Sequence, residues 1–220
     1  MILANNLTLS YDNKKNIIEN ANFNIKEKEF IFISGSSGSG KSTLLKSFYG
    51  DLAVRSGSLL VNKLDISKAR NSELLDIRKN LGIVFQDYKL IEEYTIEENI
   101  MLPLKIHNYD DNVCKTQVKK LLKHVKLSHK IGTYPNELSG GEQQRVSVAR
   151  ALAHHPSIIF ADEPTGNLDD YSSDVIWTLL KNANEQLGIT IVVVTHRIPK
   201  DLGIKYRRFN IDDGVVYETS

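Results

Sequence analysis

Cys114 is the only cysteine in 220 residues. No disulfide can form within the chain, and a reducing cytosol is the expected compartment. Long apolar runs are also missing, so no segment reads as a bilayer-spanning helix. The opening Met1 to Asn6 has neither a basic stretch nor a long apolar stretch after it, so no signal peptide is expected. Excess charge of either sign is absent: 28 Lys and Arg stand against 27 Asp and Glu, a formal net charge of +1. Bulk electrostatics therefore give no attraction to nucleic acid, and no direct nucleic-acid binding is expected. No sustained heptads point to a long coiled coil. Of the six histidines, none besides His196 reads as a ligand together with the cysteine or another histidine, and no zinc site is expected. There is no internal repeat and no low-complexity linker. With 41% hydrophobic and 25% charged residues, the chain reads as one ordinary globular domain.

What is present centres on Gly35-Ser36-Ser37-Gly38-Ser39-Gly40-Lys41-Ser42-Thr43. This stretch fits G-x-x-x-x-G-K-[ST], the phosphate-cradling loop. Phe30 to Ile33 before it reads as a buried strand, and Leu44, Leu45 and Phe48 after it have helical spacing. Glycine lets the backbone wrap closely around an anion because no Cβ blocks the approach. Loop N–H groups and the positive end of the following helix face the phosphates. Lys41 is expected to reach the β- and γ-phosphates of a nucleotide, and the Ser42 hydroxyl to ligate Mg²⁺.

Around this loop the pattern is α/β. Leu7 to Tyr11 and Ile17 to Ile25 read as strands of an N-terminal antiparallel sheet. Leu81 to Phe85 is a buried strand that delivers Gln86 at its carboxyl end, where open α/β sheets gather ligands. From Asp87 to His155 the strand pattern vanishes. Val118, Leu121, Leu122 and Val125 mark one apolar helix face, and Lys115, Lys119, Lys120, Lys123 and Lys126 a solvated one. The expected division is a core with its antiparallel layer over 1–86 and 156–220, and an inserted helical subdomain over 87–155, within a single domain of 1–220. Inside the insertion, Ser139 with Glu142 forms a capping box ahead of Val146, Val148 and Leu152. Gly140 and Gly141 at that helix start also expose N–H groups to an anion. A second phosphate cradle of different design suggests a nucleotide sandwiched between two surfaces. The strand Ile158 to Ala161 ends in Asp162-Glu163. Asp162 suits a Mg²⁺ ligand, and Glu163 a base that orients and deprotonates water. His196 follows the most hydrophobic strand, Ile189 to Thr195, and is expected near the γ-phosphate in a catalytic role. Trp177 is expected to pack. Asp213-Gly214 reads as the turn of a closing hairpin.

Together, in this order and spacing, these residues resemble an ABC-type ATPase over the whole chain. Leu138-Ser139-Gly140-Gly141-Glu142-Gln143 is the most specific part. The resemblance implies a P-loop NTPase core, an antiparallel β-subdomain and a helical signature subdomain. It implies adenine stacking on Tyr11 and nucleotide contacts from Gly35 through Thr43. Ser139, Gly140 and Gly141, within a stretch continued by Glu142 and Gln143, would contact the γ-phosphate bound to a second copy. It implies a Mg²⁺-sensing and catalytic role for Gln86, a metal ligand in Asp162, a general base in Glu163 and a γ-phosphate switch in His196. Asn167-Leu168-Asp169 matches the loop that reads the opposite subunit. ATP and Mg²⁺ are the implied cofactors, and a homodimer forms with ATP bound. Phe85-Gln86-Asp87-Tyr88-Lys89-Leu90 looks most like the cell-division branch, FtsE, which neighbours the lipoprotein-release and macrolide-efflux ATPases. That branch implies an integral membrane partner, an FtsX-like permease, which holds the ATPase on the inner face of the membrane. Arg197 departs from the family, which usually has Asp after the switch histidine.

Overall fold

The structure, a computed structural model, describes residues 1–11 and 15–219. In chain order the elements are β1 (Ile2–Leu9), β2 (Ile18–Ile25), β3 (Phe30–Gly35), α1 (Lys41–Phe48), β4 (Val54–Val61), β5 (Leu64–Asp65), α2 (Asn71–Lys79), β6 (Leu81–Val84), α3 (Ile96–Ile106), α4 (Asp111–His124), α5 (Gly140–Leu152), β7 (Ile158–Asp162), α6 (Asp170–Leu187), β8 (Thr190–Val194), β9 (Arg207–Asp212) and β10 (Val215–Thr219). They form two compact units, Met1–Arg78 with Thr190–Ser220, and Lys79–Ile189. The architecture is the α/β arrangement expected from the sequence, with its antiparallel layer and inserted helices.

In the first unit, β2, β1, β4 and β5 make an antiparallel sheet in that order. Strand β1 begins at Ile2, earlier than the alternation from Leu7 suggests. Asn5-Asn6 interrupts the alternation, and a bulge absorbs the extra residue: Asn6 has φ 46° and the register shifts between Ala4 and Leu7. The bulge puts Ile2, Ala4, Leu7 and Leu9 all in the core. Beside this layer run β10, β9, β3 and β8 in order. Strand β3 is parallel to both β8 and β9, and β9 turns into β10 as a hairpin. The turn residues Asp213 and Gly214 have φ 43° and 80°, the double left-handed geometry of a tight hairpin turn.

In the second unit, β6 and β7 pair in parallel from Leu81↔Ile158 to Val84↔Ala161. Helices α3, α4 and α5 bury Ile96, Ile100, Val118, Leu122, Val146 and Ala149 in one cluster. The five lysines on and after α4 are all exposed, as a solvated face requires. Cys114 is fully buried on the same helix. Helix α6 begins four residues before Asp174, where its apolar periodicity starts, because Asp169 caps it. The Asp169 carboxylate accepts from the Ser172 N–H at 2.8 Å and from the Ser172 hydroxyl at 2.7 Å. Those bonds hold the Asp169 carboxyl below its usual range. Trp177 is buried, as expected of a packing residue.

At the end of α5, the His154 ring stacks on His107, with centroids 5.1 Å apart and planes 21° apart. Burial, helped by the neighbouring His107, lowers the His154 pKa from 6.5 to about 4. The folded chain thus binds this proton less readily than the unfolded chain does. The neutral ring contributes its full stability above pH 6.5, and that stability is lost as pH falls from 6.5 toward 4. We expect His154→Gln to flatten the melting temperature against pH across this window, measured beside the parent protein.

Candidate functional site

In the first unit the phosphate loop joins β3 to α1. Gly35, Gly38 and Gly40 have φ of 151°, 77° and 104°, conformations that side chains rarely tolerate. A Cβ on Gly35 would lie 2.4 Å from the Ile211 carbonyl oxygen and 2.6 Å from Ser39 Oγ. One on Gly40 would lie 2.8 Å from Ile17 Cγ2. Glycine at both positions is therefore a matter of space as well as of angle. Lys41 opens α1, with its Nζ donating to the carbonyls of Gly35 at 3.0 Å and Ser36 at 2.8 Å. These bonds fold the ammonium back over the loop. Ser39 Oγ is buried within the loop with no hydrogen-bond partner. An orphaned hydroxyl in a glycine-lined cradle at a helix N-terminus fits an incoming phosphate oxygen. Ser36, Ser37 and Gly38 are exposed around it, and Thr43 is buried beneath. Ser42, in the first turn of α1, is exposed. Tyr11 lies just past β1 and is 61% exposed, which leaves it open to an adenine.

His196 belongs to this same unit. Strands β3 and β8 pair Ile33 with Val194, and the Thr195 N–H donates to the Ile33 carbonyl at 3.1 Å. Gly35 ends β3, and His196 follows β8 by two residues, both beyond the carboxyl end of this parallel pairing. The sequence places both at strand ends, as the structure does. His196 is exposed there. Arg197, the departure from the family pattern, has its N–H bonded to Thr195 Oγ1 at 3.0 Å.

In the second unit the parallel pair β6–β7 does the same for the other candidates. Val84 pairs with Ala161, so Gln86 and Glu163 leave the two strands level with each other. Gly166 sits between them: a Cβ there would lie 3.5 Å from Glu163 Cβ and 3.6 Å from Gln86 Nε2. Asp162 ends β7 and is partly buried. Glu163 has φ 43°, a left-handed conformation that costs free energy in a non-glycine residue. Such strain concentrates where a side chain must be aimed.

The capped helix start that the sequence offers as a second cradle is also in this unit. Ser139 caps α5: its Oγ accepts from the Glu142 N–H at 3.3 Å, and Glu142 Oε2 accepts from the Ser139 N–H at 2.9 Å. The Ser139 N–H bond holds the Glu142 carboxyl below its usual range. Gln143 Nε2 turns back to donate to the Leu138 carbonyl at 3.2 Å. Glu142 and Gln143 thus shape the helix start, beside the half-buried Gly140 and Gly141. A Cβ on Gly141 would lie 2.6 Å from Ser172 Oγ, the hydroxyl that Asp169 holds.

Sequence reading missed three supporting residues. Gln144 is fully buried and donates to the Pro164 carbonyl at 2.8 Å, tying α5 to the turn after Glu163. Asn99 is fully buried and bonds Ile91 at both its N–H (2.8 Å) and its carbonyl (3.0 Å), as well as the carbonyls of Tyr94 and Thr95. Arg150 donates to the carbonyls of Tyr88 at 2.8 Å and Lys89 at 2.7 Å. A polar residue on the inward face of an apolar helix was the available signal for Gln144. A cavity of about 670 Å³ between α4 and α6 holds none of the motif residues.

The family model for ABC transporters matches residues 18–166. The chain belongs to the ABC transporter family. This ABC ATPase is 38% identical to the cell division ATP-binding protein FtsE of Streptococcus pneumoniae D39, over 94% of this chain and 89% of that one. It is 38% identical to the methionine import ATP-binding protein MetN of Carboxydothermus hydrogenoformans, over 99% of this chain and 65% of that one. The chain therefore spans less than two thirds of that relative. It is also 38% identical to the bacitracin export ATP-binding protein BceA of Halalkalibacterium halodurans, over 97% of this chain and 86% of that one. Among solved structures, the cassette MJ0796, a dimer in a post-hydrolysis state bound to ADP and Pi, superposes with a TM-score of 0.90. It is 38% identical over 100% of this chain and 98% of that one. The ABC ATPase binds and hydrolyses ATP. Among the described residues, no helix is long and apolar enough to cross a membrane.

Proposed function

We propose that this ABC ATPase is the cytoplasmic nucleotide-hydrolysing subunit of a cell-division complex of the FtsE–FtsX kind. Two copies close on ATP, and a membrane-embedded, FtsX-like partner carries the motion outward to control cell-wall hydrolysis. The chain would sit on the inner face of the membrane through that partner. The observation that carries this reading is the match to FtsE over 94% of this chain and 89% of the relative. The segment Phe85 to Leu90 supports it. A second reading, the ATPase of an exporter of lipoproteins, macrolides or peptides, is favoured by the equal identity to BceA.

The chemistry is common to both readings. The P-loop of one copy holds the nucleotide phosphates, with Lys41 on the β- and γ-phosphates and Tyr11 against adenine. Ser139, Gly140 and Gly141 of the other copy offer N–H groups to the γ-phosphate, which makes a two-fold interface with two equivalent sites. Glu163 orients and deprotonates the attacking water, and His196 holds the γ-phosphate. Ser42, Asp162 and Gln86 supply hard oxygen donors that fit Mg²⁺, an ion held by few protein ligands together with substrate phosphates. When bound, Mg²⁺ supplies charge neutralisation on those phosphates. ATP contacts both halves and closes the pair; loss of the γ-phosphate lets it open.

Affinity purification of tagged Glu163→Gln from its own cells with ATP, followed by mass spectrometry, separates the two readings. Recovery of an FtsX-like protein with division factors supports the first. Recovery of an export permease without them replaces it with the second.

A further inference from the structure

Two consecutive residues after Gln86, Tyr88 and Lys89, are left-handed, with φ of 61° and 48°. Neither is glycine, so the backbone is held there against its own preference. Arg150, near the end of α5, holds it by donating from one guanidinium to both carbonyls, at 2.8 and 2.7 Å. The turn sends the partly buried Tyr88 ring toward the start of that same helix. A Cβ on Gly140 would lie 2.8 Å from the Tyr88 phenol oxygen and 3.7 Å from its Cζ. The phenol oxygen therefore occupies the space that any side chain at Gly140 would need. Helix α5 is thus bound to the Gln86 loop at both ends, by Arg150 and by the Tyr88–Gly140 contact.

We propose that Tyr88 is a positioning residue for the second phosphate cradle: its phenol, aimed by the Arg150-clamped turn, sets where Gly140 and the N-terminus of α5 stand to receive a phosphate. The proposal rests on reading Ser139 to Gly141 as that cradle. It assigns Tyr88 no contact with the nucleotide. Tyr88 acts through Gly140 and links the position of the signature helix to the loop that carries Gln86.

The contact yields a suppressor test. Gly140→Ala adds a methyl group where the phenol oxygen stands, so α5 or the Tyr88 loop must shift. Helix propensity alone predicts the opposite, because alanine favours a helix more than glycine does. Tyr88→Phe removes the oxygen and leaves the ring carbon at 3.7 Å, an ordinary contact. All variants carry Glu163→Gln, and light scattering gives the ATP concentration at half-maximal dimerisation. Gly140→Ala is expected to raise that concentration about tenfold or more, equivalent to ~1.4 kcal/mol. Gly140→Ala with Tyr88→Phe is expected to return to within about threefold of the parent, ~0.7 kcal/mol. ADP affinity at the P-loop should stay at the parental value throughout, which a general loss of folding would not allow. The proposal is overturned if Gly140→Ala dimerises at the parental ATP concentration, if Tyr88→Phe fails to restore it, or if ADP affinity falls together with dimerisation. Ser139→Asp in the same assay keeps the helix cap but sets a carboxylate against the phosphate. If it dimerises like the parent, the cradle reading fails and takes the proposal with it. If it blocks dimerisation while the double variant is not restored, only the role of Tyr88 falls.

Discussion

Glu163→Gln is expected to bind ATP with parental affinity and to hydrolyse it at least about a hundredfold more slowly, within the 10²–10⁴ range of a positioned general base. The amide keeps the size of the carboxylate and removes its ability to take a proton from water. The left-handed backbone at Glu163, φ 43°, does not depend on the side-chain charge, so the residue should keep its direction. Its neighbours Gln86 and Gly166 stay in place for the same reason. Single-turnover hydrolysis and equilibrium binding, measured on the same preparation, separate the two effects. Parental turnover in Glu163→Gln would remove Glu163 from the role of base.

Lys41→Ala is expected to abolish ATP binding at ordinary working concentrations. The Lys41 ammonium is the cation that opens α1, held over the phosphate loop by the carbonyls of Gly35 and Ser36. A hydrogen bond from a charged group contributes about 1.5–3 kcal/mol, and every 1.4 kcal/mol is about a tenfold change in affinity. Two phosphate contacts therefore amount to more than about a hundredfold. The substitution also removes two bonds that fold the loop onto itself, so circular dichroism should confirm that the chain remains folded. Titration with ATP checks the result, and near-parental affinity would contradict the role of Lys41.

Much of this site was legible because its residues sit on local geometry that sequence encodes directly. Gly35 and Gly40 are required by left-handed angles and by neighbours closer than 3 Å to any Cβ. Ser139 with Glu142 is a capping box readable from four residues. The strand ends at Gln86, Asp162 and His196 follow from short apolar runs. Contacts between distant segments were not legible. Arg150 reads as a surface cation on an amphipathic helix, yet it is half-buried on carbonyls 61 and 62 residues away, and burial lowers its pKa. Nothing in the run Phe85 to Leu90 announces that Tyr88 lies against Gly140. Asp169 looked like part of a loop. Its carboxylate instead starts α6 and holds Ser172 against Gly141. The bulge at Asn6 likewise hid the first half of β1, because one extra residue reverses an alternating pattern.

The central claim is that each nucleotide lies between the P-loop of one chain and the Ser139–Gly141 cradle of another. The most direct test is the light-scattering mass of Glu163→Gln with ATP, with ADP, and with ATP after adding Ser139→Asp. The account predicts that the 24.8 kDa chain doubles in mass with ATP alone, and stays single with ADP or with Ser139→Asp. A chain that remains single with ATP, or a Ser139→Asp variant that pairs as readily as its parent, would contradict it.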